Sequence, residues 1–394
     1  MRTQLTYALL SLALIFVLVS CKKERPSASG GSGSPGTPPV VTILETEADS
    51  VLLWKNGKSN FIASLPGANY YSATALSSNG NVDYIAGFEP ATNSRVYPFT
   101  PVYWLNGVAN VLADTTGMTG NGLASAITVS GGDVYVAGTR DYFSDSSTVP
   151  YSGNNATYPL NGQLATVWKN GVPVALPGFG YVGIADTPNF ANRTRQDYVT
   201  GISVSGTDVY VSGGTTWDVV SHAAYWKNGE MVNLGNNLVY TNPSNNTSGW
   251  PQTTSIFTTG SDVYVTGTQT TTYGTTVAIY WKNGTPVFLS TDSIGGSAAF
   301  AGAVNGTDVY VAGSQNINNY SRAMVWKNGI GVPLTGGDTA SVAYAMVVHN
   351  NDVYVAGYTW LLFGQPEATY WKNGVETRLS NGPNGAIAYA ISVQ

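Results

Sequence analysis

Short apolar stretches separated by tight polar turns run along most of the chain, and they alternate with the period of two residues that β-strands require. Residues 297–304 form a small, apolar stretch, and residues 309–313 form an alternating one after an Asn-Gly-Thr-Asp turn. A third stretch, 322–326, ends at Asn328-Gly329, a strong hairpin signal because both residues tolerate positive φ. With a short last strand at 331–334, this segment predicts four antiparallel strands.

Two phrases repeat along the chain and extend this prediction to its whole length. The spacing between copies falls to 45 residues near the C-terminus, which is a typical period for a β-propeller blade. The phrase Trp-Lys-Asn-Gly, or Trp-Leu-Asn-Gly in one copy, begins at Trp54, Trp104, Trp168, Trp226, Trp281, Trp326 and Trp371. The phrase Asp-Val-Tyr-Val-x-Gly begins at Asp133, Asp208, Asp262, Asp308 and Asp352, with a looser copy at residues 82–87.

The two ends of the repeat region complement each other. Residues 386–393 match a first strand with nothing after it, whereas residues 40–45 and 50–54 match second and third strands that lack a first. The sequence therefore predicts an all-β fold: a seven-bladed β-propeller with four antiparallel strands per blade, closed by the C-terminal strand joining the N-terminal blade. Over residues 40–394 the two phrases resemble those of bacterial seven-bladed β-propeller repeat proteins, a likeness that specifies fold and hardly any function.

The N-terminus carries a targeting signal. Residues 1–20 contain a basic start and an apolar run too short to span a membrane comfortably. Leu18-Val-Ser-Cys21 resembles the lipobox of bacterial lipoproteins, which implies cleavage before Cys21 and acylation of that cysteine; the alternative is an uncleaved anchor or an ordinary signal whose cysteine is incidental. Lys22 after the cysteine favours the outer membrane by analogy, and the charges that follow resemble export signals of Bacteroidota surface lipoproteins. Surface and periplasmic exposure both stay open. Residues 21–39 then form the acylated cysteine and a flexible Gly/Ser/Pro tether.

Composition excludes several classes of function. Only 10% of the residues are charged and the net charge is −5, which argues against a nucleic-acid partner. A single cysteine excludes an internal disulfide framework, and no cluster of acidic residues has the spacing of a metal site. The sequence implies no cofactor.

The repeated residues favour structural roles over functional ones. Each motif tryptophan ends a third strand, where a large ring packs between blades, as in Kelch repeats; seven ligand platforms are the alternative. The repeated lysine is interpreted as an exposed turn residue that blunts edge pairing, although a cationic ring that attracts anions is the other interpretation. The repeated aspartate is expected to bond its own turn backbone.

Function is expected on one face of the propeller. Turns between second and third strands, and between one blade and the next, share a face, which we call the loop-rich face. It receives the long insertions 139–163, 178–196 and 235–253. The aromatic and charged residues there suggest a surface that recognises a glycan or a partner protein. The candidate binding residues are Trp217, Trp250, Trp360, Tyr142, Arg140 and Arg195.

Two other classes of function remain as alternatives. Two well-placed acids suffice for a polysaccharide lyase or glycosidase, and Asp186 with Asp197 is the candidate pair. No nucleophile-elbow, zinc-protease or phosphate-loop pattern is present, so the sequence assigns no catalytic residue with conviction. A structural subunit of an envelope complex is the third hypothesis.

Overall fold

All regular structure in the described part of the chain is β-strand. The computed structural model describes residues 39–47, 50–64, 72–90, 99–112, 122–151, 154–177, 196–217, 220–235, 240–241, 248–249, 251–270, 275–290, 295–336, 339–360, 364–379 and 385–394. Cys21, the signal and the tether up to residue 38 lie outside these ranges. Within the ranges, no helix has the length and apolar character that crossing a bilayer requires.

The strands fall into four positions within repeated antiparallel sheets. The inner strands, which come first, are β4 (Ser72–Asn79), β8 (Gly122–Ser130), β12 (Gln196–Ser205), β18 (Gln252–Thr259), β22 (Ser297–Asn305), β26 (Ala340–His349) and β30 (Ala386–Val393). The second strands are β1 (Val41–Glu47), β5 (Val82–Pro90), β9 (Asp133–Tyr151), β13 (Asp208–Trp217), β19 (Asp262–Thr270), β23 (Asp308–Ile317) and β27 (Asp352–Trp360).

The outer half of each sheet follows the same order. The third strands are β2 (Ser50–Lys55), β6 (Phe99–Leu105), β10 (Asn154–Lys169), β14 (Val220–Lys227), β20 (Thr276–Lys282), β24 (Tyr320–Lys327) and β28 (Pro366–Lys372). The outer strands are β3 (Lys58–Ser64), β7 (Val108–Val111), β11 (Val172–Ala175), β15 (Glu230–Asn233), β21 (Thr285–Phe288), β25 (Ile330–Pro333) and β29 (Val375–Arg378). A small hairpin is formed by β16 (Tyr240–Thr241) and β17 (Ser248–Gly249).

The sheets form a β-propeller of antiparallel, four-stranded blades. Among the described residues, five sheets have four strands each, while β8–β15 share one sheet of eight strands. The number of separate blades therefore differs from the predicted seven, because a single parallel bridge between Gln163 and Gln196 links β10 to β12. The C-terminal strand β30 pairs antiparallel with β1, with Ile391 opposite Ile43.

The insertion at 139–163 is a second departure from the sequence prediction. It was expected as a loop, but β9 and β10 continue as a long paired ladder from Tyr135 opposite Lys169 to Tyr151 opposite Asn154. The β-branched and aromatic residues of this segment, such as Thr148, Val149 and Tyr151, favour strand pairing where the sequence prediction counted only a break in the repeat.

The repeated phrases make turns and inter-blade packing, as predicted. The asparagine of every Trp-Lys-Asn-Gly turn, and of its Leu variant, has φ of 49–51° and the following glycine φ of 78–87°, the left-handed pair that a two-residue hairpin needs. Five motif tryptophans are at most 1% exposed: Trp168, Trp226, Trp281, Trp326 and Trp371. Trp226 packs against residues of the preceding strands and donates its indole N–H to the carbonyl of Pro177 at 2.7 Å.

Candidate binding site

Each inner strand carries one extra residue at the same position. The pairing register with the second strand slips by one there, which is a β-bulge. The residue left between the two paired positions is Thr74, Ser125, Thr200, Thr254, Phe300, Tyr344 or Tyr389. Because inner strands of neighbouring sheets contact each other, these seven residues occupy equivalent places around the centre of the propeller.

The glycine of the Val-Tyr-Val-x-Gly phrase makes room for the bulge. Gly357 lies opposite Ala343, next to the bulged Tyr344, and a Cβ on Gly357 would overlap the backbone carbonyl of Val342. A larger residue at Gly357 would therefore require the inner strand to shift. The sheet with the Tyr389 bulge has Glu45 at the equivalent position, so the glycine favours the bulge without being essential to it.

Four of the bulged residues carry a hydroxyl group, and three of these hydroxyls form a hydrogen bond to the neighbouring inner strand. Thr74 Oγ1 donates to the carbonyl of Ala124 on the next inner strand at 2.7 Å. Thr254 Oγ1 does the same to Ala299 at 2.7 Å. Thr200 Oγ1 lies 3.0 Å from Thr253 Oγ1 on β18. We therefore assign these three hydroxyls a structural role.

The three aromatic bulge residues form ring contacts with one another, and two further rings pack next to them. Phe300 and Tyr344 have centroids 5.3 Å apart, and Tyr344 and Tyr389 are 5.4 Å apart. On β27, Tyr358 lies 6.0 Å from Tyr344 and 6.3 Å from Trp360. We call these five residues the aromatic cluster. Phe300, Tyr344 and Tyr358 are half-buried, whereas Trp360 is 44% exposed and Tyr389 is 37% exposed, so these two rings form the open edge of the cluster.

The surroundings of the cluster are apolar. The cross-strand neighbours of Tyr358 are Val342 and Ala368, and those of Trp360 are Ala340 and Pro366. Burial raises the pKa of Tyr344 to about 12, with smaller contributions from the neighbouring Tyr358 and Tyr389. Burial also raises the pKa of Tyr358. Tyr344 and Tyr358 are therefore neutral at physiological pH and offer hydroxyls without charge.

This arrangement suits a ligand with an apolar face and polar edges. The negative π-face of an indole or phenol attracts the weakly positive C–H groups of such a ligand. Tilted rings, at 31–69° to one another, form a curved surface instead of a flat one. Tyrosine hydroxyls at the rim can exchange hydrogen bonds with ligand hydroxyls.

The predicted binding residues are placed unevenly. Trp360 belongs to the aromatic cluster. Trp217 ends β13 and Tyr142 lies on β9, but their side chains are outside the description, as are Trp250 and Arg195 altogether. Arg140 is on β9 instead of in a loop and is only 7% exposed, so it is not presented at the surface.

Of the candidate catalytic pair, only Asp197 lies in the described residues. Asp197 is 1% exposed, and its Oδ2 accepts the backbone N–H of Ala165 at 3.0 Å, across the junction between β12 and β10. Ser297 and Ser341 accept a backbone N–H at equivalent junctions from Ala278 and Ala323. The carboxylate of Asp197 thus has the same structural contact as those hydroxyls. Asp186 lies outside the described residues.

The repeated lysines do not form a free cationic ring. Five of them make an ion pair of 2.7–2.9 Å with the aspartate of their own blade and lie 5.1–5.4 Å above a tyrosine ring. In the variant blade, where Leu105 replaces lysine, Asp83 is paired with Lys55 of the neighbouring sheet at 3.3 Å. The expectation for aspartate was wrong in detail, since the turn backbone is bonded by the asparagine, as Asn170 Oδ1 accepts the N–H of Val134.

Sequence reasoning missed four of the five cluster residues because attention went to the long insertions. The signal was nevertheless present. In three inner strands an aromatic residue stands between two alanines, in Ala-Phe-Ala, Ala-Tyr-Ala and Ala-Tyr-Ala around Phe300, Tyr344 and Tyr389. The other four inner strands have Thr or Ser at that position, so the three rings depart from the repeat. Among the described residues, no group of three or more His, Cys, Asp or Glu side chains could hold a metal ion.

Comparisons with known proteins show a similarity of fold only. No protein-family model matches the chain, and no curated protein matches its sequence. A sialidase from Trypanosoma rangeli in complex with sialic acid aligns at 9% identity and TM-score 0.40, over 90% of this chain and 59% of that one. TolB from Acinetobacter baumannii aligns at 10% identity and TM-score 0.39, over 76% and 64%. The β-propeller domain of the Trilobed protease from Pyrococcus furiosus aligns at 11% identity and TM-score 0.35, over 80% and 99%.

The chain spans less than two thirds of the length of the sialidase and of TolB. At these identities and TM-scores the similarities carry no inference about function. The propeller assignment rests on the repeated four-stranded sheets themselves.

Proposed function

We propose that this protein is a binding module that recognises a glycan through the aromatic cluster. The observation that carries the proposal is the set of five contacting rings on β22, β26, β27 and β30, with Trp360 and Tyr389 open to solvent. A pyranose offers axial C–H groups to such rings and equatorial hydroxyls to the phenols. A partner protein or envelope complex is the alternative, and it is separated by the test below.

We propose further that the propeller has seven blades and a closed ring. Two features support this count: β11 ends one half of the eight-stranded sheet and β15 ends the other, and among the described strands the halves are paired through the single Gln163–Gln196 bridge. Closure is supported by β30, which contacts the inner strands β26 and β4 on either side. Each half then repeats the strand order of the separate four-stranded sheets.

We also propose that Cys21 carries a lipid anchor and that the propeller stands on the outer membrane, on its periplasmic or surface side. The support is the lipobox-like Leu18-Val-Ser-Cys21 and the Gly/Ser/Pro tether up to residue 39. Two or more acyl chains hold a protein to a bilayer far more firmly than one. Replacement of Cys21 by alanine should release the protein from the membrane fraction.

The glycan proposal is tested by binding of the chain to an array of neutral and acidic polysaccharides, followed by calorimetry on any hit. The test variants are Trp360→Ala and Tyr389→Thr, the second being the residue type that β4, β12 and β18 carry at the same position. Phe288→Ala is the matched control, because Phe288 is an aromatic residue of similar exposure, 42%, on the outer strand β21. Binding that both test variants lose and the control keeps supports the proposal. A blank array for folded protein, with capture of an envelope protein that needs Trp360, would replace the glycan by a protein partner.

A further inference from the structure

A buried arginine lies apart from the aromatic cluster, on β24. Arg322 is opposite Gln315 of β23, which in turn is opposite Ser297 of β22. Directly opposed residues in antiparallel strands point to the same side of a sheet. That side faces β20 of the preceding sheet, since Ser297 Oγ accepts the N–H of Ala278 at 2.8 Å.

Arg322 lacks the partners that a buried cation needs. It is only 8% exposed, and its Nε is buried without a hydrogen-bond partner. No acidic side chain among the described residues forms an ion pair with it. Arg378 provides the contrast, since it is far more exposed and pairs with Glu376 at 2.9 Å and Glu367 at 3.2 Å.

A buried, uncompensated charge is costly, and arginine cannot escape the cost by losing its proton. The fold does not require the charge either. The residue four positions before the motif tryptophan is Leu164 or Val277 in two other blades, so an apolar side chain is accepted there, and it is Ser50, Thr100, His222 or Glu367 in the remaining ones. No described residue supplies the counter-charge that an arginine at this position requires.

We propose that Arg322 is the anchor of an anion site that binds an oxyanion group, a carboxylate, sulfate or phosphate, entering from the loop-rich face. The planar guanidinium matches two oxygens of such a group with two parallel hydrogen bonds. Gln315 is half-buried beside it and adds an amide donor. Ser297 is occupied by Ala278 and by Ser290 Oγ at 2.7 Å, so it serves as a wall and not as a ligand. The site is independent of the proposed glycan site.

The test is the melting temperature of the full chain in sodium chloride against sodium sulfate, phosphate and glucuronate at equal ionic strength. A ligand that binds only the folded state at a hundredfold excess over its dissociation constant raises the melting temperature of a domain this size by about 3 °C. We expect a saturable rise with at least one oxyanion, and the three salts identify whether carboxylate, sulfate or phosphate is preferred.

Two variants test whether the rise in melting temperature depends on Arg322. Arg322→Leu copies the residue of β10 and should fold, with a melting temperature in chloride no lower than that of the parent. It should lose the saturable rise while keeping the general salting-out effect of sulfate. Arg378→Leu, the exposed-arginine control, should keep the rise. Equal shifts in Arg322→Leu and the parent, or no shift in the parent with any of the three anions, would overturn the proposal.

Discussion

The centre of the propeller is built in two ways from one backbone feature. Over β4, β8, β12 and β18 the bulged residues are Thr74, Ser125, Thr200 and Thr254, and over β22, β26 and β30 they are Phe300, Tyr344 and Tyr389. We call these the hydroxyl region and the aromatic region. Both sets of side chains link neighbouring inner strands.

The difference lies in what remains available after the link is made. A threonine hydroxyl has one hydrogen, and Thr254 gives it to Ala299. An aromatic ring links its neighbours through one part of its surface and leaves the rest open, as Tyr389 does. A threonine at the bulge position therefore only connects inner strands, whereas an aromatic residue there can connect them and also contact a ligand.

The largest expected effect comes from converting the aromatic region into the hydroxyl type. The double variant Trp360→Ala with Tyr389→Thr should weaken glycan binding about 100-fold or more, because each exposed, central ring carries about 2 kcal/mol of binding energy in a typical interface. Calorimetric titration measures it. Circular dichroism should show the fold unchanged. Retained binding would mean that the ligand site lies elsewhere.

The second effect is a loss of stability in alkali to which Tyr344 of the aromatic region contributes, beside Tyr225 and Tyr280, whose pKa values burial also raises. The pKa of Tyr344 is raised to about 12 from an ordinary value near 10, because burial disfavours the phenolate. The folded state thus holds the proton more tightly than the unfolded state does. This contribution is complete below pH 10 and is lost as the pH rises from about 10 to 12.

Urea unfolding between pH 9 and 11.5 tests whether the free energy of unfolding falls as the pH rises. Tyr344→Phe should flatten the decline, whereas Tyr320→Phe, a control outside the cluster, should leave it unchanged. A decline that persists undiminished in Tyr344→Phe would place the sensitivity in another group.

The fold was predictable because its determinants are local and repeated. Asn328-Gly329 dictates a hairpin, and the small residues of 297–304 dictate an inner strand, without reference to distant parts of the chain. Long-range pairing was harder to predict. The bridge from Gln163 to Gln196, and the continuation of β9 and β10 beyond the repeat, depend on which strands meet in space.

The candidate site was only partly predictable for the same reason. Trp360 was identified because it departs from the repeat, and tryptophans outside the motif attract attention. Tyr344 and Tyr389 lie within the repeated inner strands, so their significance depends on the bulge and on contacts between strands that are about 45 residues apart along the chain. Asp197 shows a contact that the sequence does not reveal, since its carboxylate accepts a backbone N–H from the neighbouring strand β10.

A smaller effect is expected in the hydroxyl region. Thr254→Val keeps the shape of the side chain but removes the bond to Ala299, so the free energy of unfolding should fall by about 1 kcal/mol. The midpoint of urea unfolding measures it. Glycan affinity should not change, because Thr254 makes no contribution to the open edge. If affinity fell as well, the two regions would not be independent.

The smallest effect belongs to the opposite face, where the repeated ion pairs lie. The hydrogen bond from Lys327, followed by that from Asn328, lowers the pKa of Asp308 below its ordinary value. This stabilisation is present above the unfolded pKa near 4 and is lost as the pH falls through the lower, folded pKa. Asp308→Asn should therefore lower the unfolding midpoint slightly at pH 7 and have no such effect at pH 2. The shift should be smaller than that of Thr254→Val, because exposed pairs are screened by solvent. The same Asp–Lys pair occurs five times on this face. Removing one pair therefore tests whether the five contribute equally and weakly to stability, whereas the hydroxyl and aromatic regions at the centre differ from each other.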